Sequence, residues 1–194
     1  MRDPSSIVGW LWAAFVLCWL VLAQFNKKAS RSASWRPAWA LRLAVIVGVL
    51  VIVLPRRTGV ASLFALVGRA LPLHVDIAGR WVGVGLCVVG FAFAVWARLH
   101  IGRNWGMPMS LRQNHELVTS GPYAYVRHPI YTGIMLAMIG SALTVGVLWL
   151  LLFALYFAYF IISARTEERM MLAQFPDAYP AYRRRTRMLI PFVF

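Results

Sequence analysis

Acidic side chains are scarce in this chain. Six Asp and Glu stand against twenty Lys and Arg over 194 residues, a formal net charge of +14. Cysteine is scarcer still: Cys18 and Cys87 fall inside apolar runs and read as small buried hydrophobes, which excludes a disulfide framework and a thiolate metal site. The histidines show no His-x-x-x-His or Cys partner spacing, so no metal is expected. No Ser or Cys sits beside a His in a nucleophile elbow, which argues against covalent hydrolysis. Gly83, Gly85 and Gly90 do not form a dinucleotide fingerprint, because the spacing is wrong, no strand precedes them and no acidic residue follows at the right distance. They read instead as small residues that let helices approach. Internal repeats, low-complexity segments and a C-terminal lipidation box are also missing, and the first apolar run has no small-residue cleavage site before Lys27.

Apolar residues are abundant. They make up 61% of the chain, against about 45–50% in a soluble domain. They lie in long charge-free blocks, so the bilayer is the expected solvent. The basic residues fall between and after those blocks, where the positive-inside rule expects them. With no basic-aromatic groove or motif, no nucleic-acid partner is expected, and membrane lipids with anionic headgroups are.

The blocks define the architecture. Pro4 to Asn26 is 23 residues without a charge, enough to cross a core of about 30 Å at about 1.5 Å per residue. A basic loop follows, then a second span over 38–54. Thr58 to Gly68 is too short to span and reads as interfacial or re-entrant. A third span runs from about Trp81 to Ala97. Pro129 to Ala164 is 36 charge-free residues, about 54 Å as one helix. A turn near 141–146 divides it into a short helical hairpin. The expected fold class is therefore all-α: one integral membrane helical bundle, residues 1–194, of about five spans. N-terminal spans fill 1–100, and a loop, the hairpin and a C-terminal tail fill 101–194.

Lys and Arg counts orient the bundle. The 27–36 loop and the 98–128 loop carry four each and the tail carries six, while the opposite side has Arg2 and four more in the 55–80 connection. The N-terminus is expected outside and the C-terminus in the cytoplasm of a bacterial-type inner or plasma membrane.

The chemistry concentrates in Gly102 to Tyr131, the long polar interval. His115-Glu-Leu-Val118 leads into the turn Gly121-Pro-Tyr123, and Arg127-His128-Pro129 stands where the fourth span begins. Pro129 at a first helical position is ordinary punctuation. Downstream, Arg165-Thr-Glu-Glu168 reads either as a helix start capped by Thr166 or as a site where one Glu binds a polar or cationic ligand. Gly/Pro turns with Tyr, His, Arg and Glu suit binding of a zwitterionic, aromatic cofactor better than hydrolysis.

The run from His115 to Tyr131 resembles the signature of the isoprenylcysteine carboxyl methyltransferase family, whose wider group includes membrane phospholipid methyltransferases. The resemblance continues through Arg165-x-Glu-Glu168, Phe175-Pro-Asp-Ala-Tyr179, Tyr182 and Ile190-Pro191, with Pro176 where the family has Gly. It covers Asn104 to Pro191. It implies a multi-span membrane enzyme that uses S-adenosylmethionine, releases S-adenosylhomocysteine and has no dinucleotide-binding domain. The implied reaction is O-methylation of an isoprenylcysteine-like carboxylate or another lipophilic acceptor. By motif, it implies cofactor contacts at His115, Glu116, Leu117, Val118, Gly121, Tyr123, Arg127, His128, Pro129, Ile130 and Tyr131. Glu167 or Glu168 joins them, and Arg165 lies at the acceptor end, so Arg165, Glu167 and Glu168 are the expected catalytic residues. Alternatives are methylation of a phospholipid or small lipophilic amine or thiol, an NADPH-dependent membrane reductase using Arg183 to Arg187, and a non-catalytic membrane protein.

Overall fold

The computed structural model describes residues 3–24, 29–32, 73–105, 110–112 and 116–191. Five α-helices lie among them: α1 (Pro4–Ala23), α2 (Ile77–Ile101), α3 (Pro129–Val145), α4 (Leu148–Gln174) and α5 (Ala178–Arg185). Three of these are long and apolar enough to cross a membrane, as Pro4–Leu22, Ile77–Ile101 and Leu148–Gln174; α3 is a shorter apolar helix. The described bundle is helical as expected. It also carries a short antiparallel ribbon that pairs Ala29–Ser32 (β1) with Ser110–Arg112 (β2). The span expected over 38–54 and the interfacial segment over 58–68 lie outside the described residues.

Helix starts follow from local chemistry. Asp76 caps α2, accepting the Gly79 amide at 2.9 Å, and Pro4 and Pro129 each open a helix where a missing N–H costs nothing. Gly146, at φ 137°, makes the hairpin turn between α3 and α4. That is the left-handed side of backbone space, which glycine enters without steric cost.

Antiparallel α2 and α3 form the centre. Gly83 meets Gly140, and seven residues on, Gly90 meets Gly133. A Cβ on Gly90 would stand 2.5 Å from the Gly133 carbonyl oxygen, so the two backbones touch. Gly85, expected in the same role, has no described atom within 4 Å of where its Cβ would stand. Against this pair α1 packs Val8 and Phe15 beside Val84, Cys87, Phe91 and Ala137. Trp12 stacks on Trp149 at 5.1 Å and donates its indole N–H to Ser141 at 3.0 Å. Outward, Trp10, Leu17, Val82, Val89, Trp96 and Leu151 stay exposed. That apolar belt belongs in lipid.

Two arginines fasten the ends. Arg80 donates to the Thr144 carbonyl (3.1 Å) and Ser5 (2.8 Å), joining the starts of α1 and α2 to the end of α3. At the other end Arg98 donates to the Leu22 carbonyl of α1 at 2.6 Å. Helices α1 and α2 therefore run in the same direction, the course that the sequence assigns to spans one and three.

Candidate active site

The α3 entry, the last turns of α4 and the C-terminal tail converge at the Arg98 end of the bundle. The tail is held by backbone: Arg127 N–H donates to the Arg187 carbonyl at 2.8 Å and His128 N–H to the Met188 carbonyl at 3.1 Å. Thr132 donates to the Leu189 carbonyl at 2.6 Å. Tyr182 of α5 donates to the Tyr123 carbonyl at 2.7 Å. These bonds fix Arg127 and His128 before α3 begins.

Helix α4 does not stop where its apolar run stops. It continues through Arg165-Thr-Glu-Glu168 to Gln174, and Thr166 donates its hydroxyl back to the Ile162 carbonyl. The helix-start reading of this motif, with Thr166 as cap, is thus replaced by a mid-helix placement. Phe175-Pro176 ends the helix, since Pro176 cannot continue it.

Successive residues Glu167 and Glu168 meet different partners. Glu168, with a side chain 8% exposed, takes Arg127 Nε at 2.6 Å and has Arg183 Nε at 3.6 Å. Arg127 also donates to the Thr186 carbonyl at 2.6 Å. Glu167 accepts the Tyr131 hydroxyl at 2.6 Å. His128 lies between the two carboxylates, with Nδ1 3.4 Å from Glu167 and Nε2 3.6 Å from Glu168. The second distance is beyond hydrogen-bond range, so Nε2 is buried with no hydrogen-bond partner among the described residues. Burial pushes the His128 imidazole towards neutrality, but the two carboxylates outweigh it and raise its pKa above the ordinary histidine value. The rings form a column: His128 on Tyr131 at 5.5 Å, and Tyr131 on Phe160 at 4.5 Å.

The structure therefore gathers Arg127, His128, Tyr131, Glu167 and Glu168. Pro129 and Ile130 are buried in the first turn of α3. Val118 packs on the same core cluster as Tyr131 and Phe160, Leu117 is half-buried and Glu116 is exposed. Tyr123 donates its hydroxyl to the Ala97 carbonyl of α2 at 3.4 Å, and burial raises its pKa, keeping it neutral. Its amide donates to the Ser120 carbonyl at 3.2 Å and closes the Gly121 turn. Gly121, at φ 59°, leaves no room for a side chain, because a Cβ would stand 2.6 Å from the His100 ring. Arg165 is exposed at the rim of a cavity of about 340 Å³ that Arg127, Glu168, Arg183 and Arg187 also line. His115 lies outside the described residues.

Sequence reading missed several of these parts. His100, which bonds Ser120 at 2.9 Å, went unassigned as a support of the Gly121 turn. The tail carbonyls of Thr186 to Leu189 carry no side-chain signal at all.

Apolar transmembrane helices around an interfacial cluster of His, Tyr, Arg and Glu define a class of helical membrane protein with a polar site at one bundle end. Residues 78–178 match the phospholipid methyltransferase family model, and the chain belongs to that family. It is similar to the cobalt-zinc-cadmium resistance protein CzcN of Cupriavidus metallidurans, 36% identical over 61% of this chain and 55% of that one. It is also similar to the protein-S-isoprenylcysteine O-methyltransferase of Schizosaccharomyces pombe, 31% identical over 57% of this chain and 48% of that one. The chain thus spans about half the length of the curated relatives it matches. Among solved structures it resembles the eukaryotic intramembrane Ras methyltransferase ICMT, with a TM-score of 0.53 and 29% identity over 59% of this chain and 42% of that one. The fold is that of an integral membrane protein.

Proposed function

We propose that this chain is a membrane methyltransferase that uses S-adenosylmethionine to methylate a lipophilic acceptor, in first place the carboxylate of an isoprenylcysteine-like molecule. The observation that carries this reading is the Tyr131–Glu167–His128 cluster at the end of lipid-facing helices, in a chain of this family.

The residues fit such a cofactor. A buried imidazole nitrogen with no hydrogen-bond partner among the described residues is a ready polar contact. A carboxylate and a stack of aromatic faces favour a group that bears positive charge. Bound here, S-adenosylmethionine supplies a methyl group already activated by its sulfonium charge. Glu167 is the carboxylate assigned to the cofactor, because Glu168 is committed to Arg127. Tyr131 and His128 orient Glu167 by holding one oxygen each. Arg165, exposed at the cavity rim, orients an acceptor oxyanion through its guanidinium fork. Apolar surrounding surface admits a lipophilic tail laterally and keeps water away. An ionised carboxylate needs no base, so the protein's task is positioning, with reacting atoms about 3–3.5 Å apart. The site-bearing end is assigned to the cytoplasm on its arginine content.

Calorimetry or thermal shift with S-adenosylhomocysteine, against NADPH, tests the reading. Binding of the former and not the latter is expected, and the reverse result replaces it with a reductase. Radiolabelled methyl transfer to a farnesylcysteine analogue and to a lipid extract then identifies the acceptor. Arg165→Lys is expected to lower turnover more than S-adenosylhomocysteine affinity. Equal loss of both moves Arg165 to the cofactor.

A further inference from the structure

The cavity beside Glu168 holds more positive charge than the site explains. Arg127, Arg165, Arg183 and Arg187 line it, with Glu168 as its carboxylate. These arginines come from the α3 entry, α4, α5 and the tail, so the fold and not local sequence brings them together. Glu168 is already shared. Arg127 takes one oxygen at 2.6 Å, His128 Nε2 lies 3.6 Å from that oxygen, and Arg183 reaches the other at only 3.6 Å. The Arg183 side chain is 55% exposed. Arg165 and Arg187 make no side-chain hydrogen bond or ion pair among the described residues. Three guanidinium groups thus surround one opening with a fraction of one carboxylate between them. Clustering like charge is unfavourable, and an oxyanion between forks relieves it.

We propose that Arg183 and Arg187 form a binding site for a phosphate group, separate from the acceptor role given to Arg165. The opening includes Arg165, which directly follows the charge-free run of α4, and arginines that flank an apolar span favour anionic headgroups. An anionic phospholipid headgroup is therefore the first source of that phosphate, and free phosphate is the second. A neutral ligand leaves the cluster uncompensated, and a choline headgroup brings a cation against it.

The neighbouring Arg184 and Arg185 do not line the cavity, so they give a control of equal charge on the helix that carries Arg183. Purified full-length chain in neutral detergent is titrated with short-chain phosphatidic acid, short-chain phosphatidylcholine and inorganic phosphate, reading Tm. Phosphatidic acid is expected to raise Tm by a few degrees, saturably, in the wild type and in Arg184→Gln/Arg185→Gln. The rise is expected to vanish in Arg183→Gln/Arg187→Gln, and phosphatidylcholine is expected to do nothing. If the cavity double variant does not fold, Arg187→Gln alone carries the test, since Arg187 contacts no described carboxylate. A rise with inorganic phosphate as large as with phosphatidic acid, lost in the same variant, supports the site and assigns it to free phosphate. Equal loss in the two double variants, no rise with either phosphate, or an equal rise with phosphatidylcholine overturns the proposal. Because the readout is binding and not turnover, it stands or falls apart from the methyl-transfer reading.

Discussion

Arg127 Nε and Glu168 Oε1 meet at 2.6 Å with both side chains less than a tenth exposed. Adjacent Glu167 is 24% exposed and faces Tyr131 instead. Two carboxylates in succession thus meet different partners, which fits the proposed division into a structural pair and a cofactor contact. Removing one partner of a buried pair leaves the other charge uncompensated, at a cost of about 3–5 kcal/mol. Glu168→Gln is therefore expected to lower Tm strongly. Glu167→Gln keeps an oxygen for the Tyr131 hydroxyl and loses only its share of the His128 interaction. Its Tm is therefore expected to fall less than that of Glu168→Gln, while S-adenosylhomocysteine affinity falls about tenfold or more, a loss of roughly 1.4 kcal/mol. Thermal melts and calorimetry on the two variants check this. The opposite pattern would reverse the two assignments.

The α2–α3 contact makes a second, purely structural prediction. Gly90→Ala sets a methyl group 2.5 Å from the Gly133 carbonyl and 2.7 Å from the Ala137 nitrogen. Backbone cannot yield as a side-chain tip can, so the helices must separate. Overpacking of this kind costs about 1–3 kcal/mol. Gly85→Ala meets nothing within 4 Å among the described residues and adds a better helix former, worth up to about 1 kcal/mol. Unfolding midpoints in detergent should fall for the first variant and hold or rise for the second.

Protonation of His128 gives a third. Its folded pKa is raised, because Glu167 and Glu168 outweigh burial. Folding therefore tightens the proton. The stability this adds is fully present below the unfolded value of about 6.5 and is lost as pH rises through the higher folded value. Tm of the wild type should decline as pH is raised from about 6 towards 9. His128→Asn should flatten that decline. An unchanged slope in the variant would assign the decline to other groups.

Much of this arrangement is legible in the sequence. Charge-free length located α1, α2 and the α3–α4 hairpin, because bilayer thickness sets a minimum run of apolar residues. Gly146 and Pro129 marked their turns through backbone chemistry alone. The motifs also named most of the cluster. What stayed hidden has physical reasons. Charge marks where lipid ends, not where a helix ends: Thr166 to Gln174 contains no glycine or proline, and α4 runs on through it. Pairing of Arg127 and His128 with Arg187 and Met188 uses backbone groups about 60 residues apart, and such groups leave no periodicity to read. By sequence Arg98 reads as a loop charge, yet it is buried to 2% exposure.

Arg98 supplies the last prediction. Its two terminal nitrogens reach carbonyls of different helices: one donates to Leu22 near the end of α1 at 2.6 Å, the other to Gly102 at the end of α2 at 2.9 Å. Its guanidinium also lies 4.7 Å from the Trp105 ring centroid. Helix C-termini expose unpaired carbonyls and carry partial negative charge, so a cation there serves both ends at once. Lysine keeps the charge but replaces the planar fork with a single point donor. Arg98→Lys can satisfy one helix end, and the lost charged hydrogen bond is worth about 1.5–3 kcal/mol. The melt should shift down accordingly. Because α2 leads through Ala97 to the Tyr123 hydroxyl and through His100 to the Gly121 turn, loosening its end should also weaken S-adenosylhomocysteine binding. Arg80→Lys, at the opposite end of the bundle, is the control. It should lower Tm through its lost contacts with Ser5 and Thr144 and leave ligand affinity unchanged. Equal affinity losses in the two variants would mean that general destabilisation, not the position of the α2 end, sets the site.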